Sequence, residues 1–309
     1  MRSSCGRNRP RPIHATVIDR RYIKKILKAP SPIAKPGSRI IEPNVFLSTN
    51  SVKIPDSVRV GSVPYLNAKP LTRFISSPIA LVEPSQLAVD LRTGKLDVAL
   101  VPIMEVLESP AGTYRVVDKI AIGSEREVFS VYLNYSVPLA KVKTVALDPA
   151  SKTSVELARL VLEKFHRLKP RYVSTDEPAD AQLLIGDPAI THRQAHPEQN
   201  YLDLATAWRE QTGLPFVFAV WAIRNDALPK SVFSFAGLKT RSVPDLLRRA
   251  AKQGLAWRSS LAKNPFERKY LTEHLCYDLG APQKKAIKLF GEMLTQTNRL
   301  ATEPKLSYI

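Results

Sequence analysis

Short apolar runs alternate along the chain with segments in which apolar residues return every three or four positions. Val58–Val63 reads as a short buried strand and Ile79–Pro84 as a second. "PSQLAVDLRTGKLDVALVP" then reads helix, stop, strand. Ser85 can cap, Leu87, Val89 and Leu91 carry the apolar spacing, Gly94 ends the helix, and Val98–Val101 is a continuous buried run. Strand, helix and strand in this order predict parallel βαβ units. Further strands are expected at Val128–Tyr135, Lys143–Asp148, the "AQLLI" run before Gly186, and Leu214–Arg224. A helix from Thr153 sets Val155, Ala158, Val161, Leu162 and Phe165 on one face. From Val243 onward the pattern is helical, interrupted at Gly254, Pro265 and Gly280-Ala281-Pro282. The expected class is α/β with a helical C-terminal segment.

The first 56 residues break this pattern. They hold seven prolines and one short helical stretch, Ile18 to Leu27. Such a composition predicts a disordered basic extension over 1–56. A start assigned too far upstream, with the native start near Val52, is the other reading. The segment lacks the apolar core and cleavage site of a secretory signal.

Charge first suggests nucleic acid: the 309-residue chain carries a net +18. Its distribution removes most of that suggestion. Residues 1–56 carry 12 Lys/Arg against 3 Asp/Glu, half of the whole excess. The remaining body is mildly basic, with no dense basic stripe, and suits an anionic small molecule. Neither a nucleic-acid partner nor a membrane partner is expected, since no apolar run reaches the ~20 residues that span a bilayer. Cys5 and Cys276 form no disulfide framework and no metal spacing, which fits a reducing, cytoplasmic setting. Nothing in the pattern specifies an oligomeric state.

In open α/β sheets, ligands sit beyond the carboxyl ends of strands. That rule selects the loops after Val63, Val101, Leu147 and Ile185. The first delivers Tyr65 and Asn67, which read as turn residues or as ligand contacts. In "DPASKTSVE", Thr153-x-x-Glu156 has the form of a capping box. With Ser151 and Ser154, the same helix start can instead hold a carboxylate or phosphate. Asp187 in "LIGDP" fits a turn, or a carboxylate that orients hydroxyl groups. His192 and His196 have the spacing of metal ligands, but Pro197 and the polar setting indicate a loop. No G-x-S-x-G, Walker loop or G-x-G-x-x-G occurs, so any enzyme here works by positioning and hydrogen bonding.

"RVGSVPYLNAKPL", "GKLDVALVP", "VALDPASKTSVELARLVL", "LLIGDPA" and "TGLPFVFAVWAIR" follow one another in the order and spacing of the chorismate dehydratases. The resemblance runs from Val58 to the C-terminus. It implies the two-lobed fold of type II periplasmic binding proteins, with an interlobe cleft. Lobe 1 is then expected over 57–127 plus 223–309, and lobe 2 over 128–222. It implies a hydro-lyase that converts chorismate to 3-[(1-carboxyvinyl)oxy]benzoate and water on the futalosine route to menaquinone, with no cofactor and no metal. Family catalytic residues match Asn67 and Ser130. Tyr65, Ser151, Thr153, Ser154 and Asp187 are the expected substrate contacts. In this family the substrate's own enolpyruvyl carboxylate is proposed as the base. Glu125-Arg126-Glu127-Val128 departs from the usual Asp-Gly-Pro-Val-like stretch before the serine. A solute-binding or sensor module of the same fold, taking an aromatic carboxylic acid, is the alternative.

Overall fold

The computed structural model describes residues 39–41, 51–227 and 242–309. Two mixed sheets form the core, and each sheet carries one lobe. The first contains β1 (Arg39–Ile41), β2 (Val60–Ser62), β3 (Ile79–Leu81), β4 (Val98–Pro102), β5 (Tyr114–Ser124) and, from much later in the chain, β11 (Phe216–Arg224). Its order is β1-β3-β2-β4-β11-β5. The second contains β6 (Val131–Tyr135), β7 (Thr144–Ala146), β8 (Arg171–Val173), β9 (Ala181–Ile185) and β10 (Asn200–Asp203), in the order β10-β6-β9-β7-β8. The expected βαβ unit is present: β2 pairs in parallel with both β3 and β4. The intervening helix, Pro84–Arg92, buries Leu87 and Leu91.

Among the described residues, the chain passes between the sheets twice, at Glu125–Ser130 and just before Phe216. The second passage corrects the expected lobe boundary at 222/223. All of β11 lies in the first sheet, antiparallel to β4 and β5. A continuous apolar strand fits either sheet, so periodicity alone cannot assign it. The strand expected from Val128 begins at Val131, because Val128–Ser130 belong to the passage. The sequence reading also passed over β5, an 11-residue strand.

The extension expected over 1–56 ends sooner than residue 56. Val52 and Ile54 are buried in the first lobe. Val52 donates its N–H to the Phe74 carbonyl and accepts from Ser76, while Ile54 exchanges two hydrogen bonds with the Ser77 hydroxyl. Arg39–Ile41 pair antiparallel with β3. The short helix expected at Ile18–Leu27 lies outside the described residues.

In the C-terminal third, the helix Ala281–Gln296 buries Ile287, Phe290 and Leu294, and Phe290 packs edge-on against Phe216 of β11. Arg299 beyond it pairs with Glu156 at 3.2 Å and Glu163 at 2.7 Å, both on the second lobe.

Candidate active site

Residues from both lobes line one cleft that is partly open to solvent. Leu100, Pro102, Ile122, Phe218 and Leu275 form apolar walls. Tyr65, Asn67, Ser130, Ser151 and Ser154 supply the polar groups. Five of the seven expected site residues therefore meet in one cavity.

Asn67 arrives on a single tight turn, Leu66–Ala68, at the carboxyl end of β2. Lys69-Pro70 opens the next helix, where proline costs no backbone bond. The Asn67 side-chain oxygen is buried without a hydrogen-bond partner. Such an orphan acceptor is uncommon in a folded protein and marks a position that a ligand donor would satisfy. Tyr277 donates its hydroxyl to the Asn67 carbonyl at 3.0 Å and so fixes the turn.

Ser130 lies at the end of the first passage between lobes. Phe129, just before it, has φ +67, a left-handed conformation that costs a bulky residue strain. Asp203 holds it there. Its carboxylate accepts the N–H of Val128 at 3.2 Å and of Phe129 at 2.8 Å. The same carboxylate caps the helix Leu204–Thr212 through Ala205 and Thr206. The Arg193 guanidinium stacks 4.1 Å from the Phe129 ring and pairs with Glu127 at 2.6 Å. Ser130 thus faces the cleft even though Glu125–Val128 departs from the usual stretch. Its hydroxyl accepts from Tyr270 at 2.8 Å.

Ser151 and Ser154 stand at the start of the helix Lys152–Leu160. The cap is Ser151, whose oxygen accepts from the Ser154 N–H, not the Thr153–Glu156 box that the spacing suggests. The two serine hydroxyls bond to each other at 3.1 Å.

Thr153 and Asp187 are not among the cleft's lining residues; they clasp the lobes together beside it. Thr153 is fully buried and its hydroxyl accepts the N–H of Met104 from the first lobe at 3.2 Å. Asp187, half-buried, accepts the Leu66 N–H at 3.2 and 3.3 Å. Burial pushes its carboxyl above the ordinary range, against the pull of the Leu66 amide and Lys69. Gly186 before it has φ +66, and the Tyr65 ring lies 3.5 Å from where its Cβ would stand. The Tyr65 hydroxyl donates to Glu83, and burial raises its pKa. His192, expected in a loop, sits on the helix Gly186–Ala195 with its ring nitrogen 3.2 Å from the Tyr132 hydroxyl.

Sequence reasoning missed Asp203 and Tyr270. For Asp203 a local signal existed, an aspartate directly before the helical "LATAW". Tyr270 carries none, since its partner is 140 positions away.

A family model described as menaquinone biosynthesis matches residues 58–296. The chain belongs to this family. Within the menaquinone biosynthesis family, similar curated relatives are the chorismate dehydratase of Thermus thermophilus and that of Campylobacter jejuni. The first is 27% identical over 262 residues, covering 74% of this chain and 92% of the relative. The second is 29% identical over 243 residues, covering 74% and 94%. Among solved structures, the periplasmic aliphatic sulphonate binding protein SsuA from Escherichia coli superposes with a TM-score of 0.52 at 14% identity. The match covers 81% of this chain and 96% of that one. The menaquinone family member described here therefore has the periplasmic-binding-protein fold.

Proposed function

We propose that this chain is a chorismate dehydratase, converting chorismate to 3-[(1-carboxyvinyl)oxy]benzoate and water on the futalosine route to menaquinone. The observation that carries the reading is the buried, unpartnered side-chain oxygen of Asn67, which lines a largely apolar cleft together with Ser130. The family membership and the two dehydratase relatives support it.

Loss of the ring C3 proton and the C4 hydroxyl leaves an aromatic ring, so the driving force resides in the substrate. The protein has to align the leaving group, exclude water and hold two carboxylates. Asn67 and Ser130 are the catalytic pair: the amide oxygen accepts from the substrate and the serine hydroxyl meets the departing oxygen. Ser151 and Ser154, at a helix start, receive a carboxylate. Tyr65 closes the side nearest Gly186. Thr153 and Asp187 contribute by holding the lobes closed.

Among the described residues, the cleft wall carries hydroxyls and one amide but no lysine or arginine. A neighbouring cation would lower the basicity of a bound carboxylate. A neutral wall leaves the enolpyruvyl carboxylate basic enough to take the C3 proton, in keeping with substrate-assisted elimination. The sparse cysteines favour a cytoplasmic location.

Purified protein incubated with chorismate should yield the aromatic ether acid, followed by chromatography. Chorismate recovered unchanged from a complex with the protein would instead identify a binding module.

A further inference from the structure

One phenol ties the C-terminal segment to the catalytic pair. Tyr270 directly follows the helix Pro265–Lys269 and is fully buried. Its hydroxyl donates to Ser130 Oγ at 2.8 Å. Phe266, one turn earlier, stacks on the Tyr270 ring with an interplanar angle of 12°. Phe266 also packs 4.7 Å from the Phe129 ring, the residue before Ser130. Aromatic packing on the passage itself therefore sets the phenol's position. Burial raises the Tyr270 pKa, so the phenol keeps its proton.

The direction of the bond matters. A serine hydroxyl has one proton and two lone pairs, and a phenol is the more acidic partner. With Tyr270 donating, one Ser130 lone pair is occupied and the serine proton must point elsewhere. The open side of Ser130 is the cleft.

We infer that Tyr270 is a positioning residue that holds Ser130 as a hydrogen-bond donor to the departing C4 oxygen of the substrate. This rests on the chorismate reading. In the elimination, the C3–H electron pair becomes the new ring π bond and the C4–O pair leaves with oxygen. Ser130 donates a hydrogen bond to that oxygen as charge builds on it and keeps its own proton. The proton lost from C3 completes the departing water. Aligned hydroxyls polarise one another, so the phenol strengthens the serine's donation.

The test is chorismate turnover by the full chain, by Tyr270→Phe, by Ser130→Ala and by the double variant. Tyr270→Phe should lower kcat about tenfold with KM within twofold. In the Ser130→Ala background the same change should cost nothing further. If the wild type turns over but Tyr270→Phe keeps its kcat, or if the two losses multiply, the inference fails and the proposed function stands. If the wild type forms no product, the proposed function fails and takes the inference with it. Should Tyr270→Phe not fold, 3-fluorotyrosine at position 270 keeps the shape and strengthens the donor. Its kcat should then shift at constant KM, and an unchanged kcat contradicts the inference.

Discussion

The cleft has two polar corners, built in opposite ways. At one, Asn67 and Ser130 come from remote parts of the chain, with the buried Tyr270 bonded to Ser130. The Asn67 oxygen there is left unpaired. At the other, Ser151 and Ser154 sit three residues apart on one helix start and satisfy each other at 3.1 Å. A buried, unpaired acceptor costs about 1–3 kcal/mol in the free protein. The first corner carries that cost and the second does not. The difference separates a site shaped for a reacting group from a local surface that receives a charge. Each corner also has its own clasp: Leu66 to Asp187 beside the first, Met104 to Thr153 beside the second.

The largest effects should fall on the first corner. Ser130→Ala or Asn67→Ala should lower kcat about 100-fold while KM moves little, as for the loss of one preorganised contact to a transition state. Steady-state kinetics with chorismate measures both. Asn67→Asp should also weaken binding at least tenfold, because a charge facing a dianion at an effective dielectric near 20 is worth about 2 kcal/mol or more. Equal chorismate affinity in Asn67→Asp and Asn67→Ala would remove Asn67 from the substrate's surroundings.

Next in size is the clasp of the second corner. Thr153→Ala strands the buried Met104 N–H and should cost about 1–3 kcal/mol in denaturant unfolding. Ser154→Ala should instead raise KM several-fold with kcat kept, the loss of about 1 kcal/mol of carboxylate binding. An unchanged KM would reduce Ser154 to part of the helix start and erase the distinction between the corners.

The smallest effect separates the clasps by pH. Burial holds the folded Asp187 carboxyl above its unfolded value. The folded protein therefore keeps the extra proton, and stability falls as pH rises from the ordinary carboxylate range through the raised value. Asp187→Asn should remove that fall from the melting temperature against pH. Thr153→Ala should lower the whole curve without reshaping it.

Most of the second corner and half of the first were legible in the sequence. Tyr65, Asn67, Ser151 and Ser154 follow strands directly, so strand polarity alone directs them to the cleft. Ser130 needed the family resemblance, because its place depends on the strained Phe129 and on Asp203, 74 residues further on. Tyr270 falls in a helical pattern in which an aromatic reads as ordinary core. Val52 and Ile54 alternate with polar neighbours as a half-buried segment does, yet the surrounding prolines hid them. The lobe assignment of β11 depends on pairing partners more than 90 residues upstream, which no local pattern encodes.

The most direct measurement is a single-turnover experiment with enzyme in excess over chorismate, wild type beside Ser130→Ala. The account predicts full conversion to the aromatic product by the wild type. Ser130→Ala should bind chorismate with comparable affinity but convert it about 100-fold more slowly. Chorismate held by the wild type and returned intact would contradict the account.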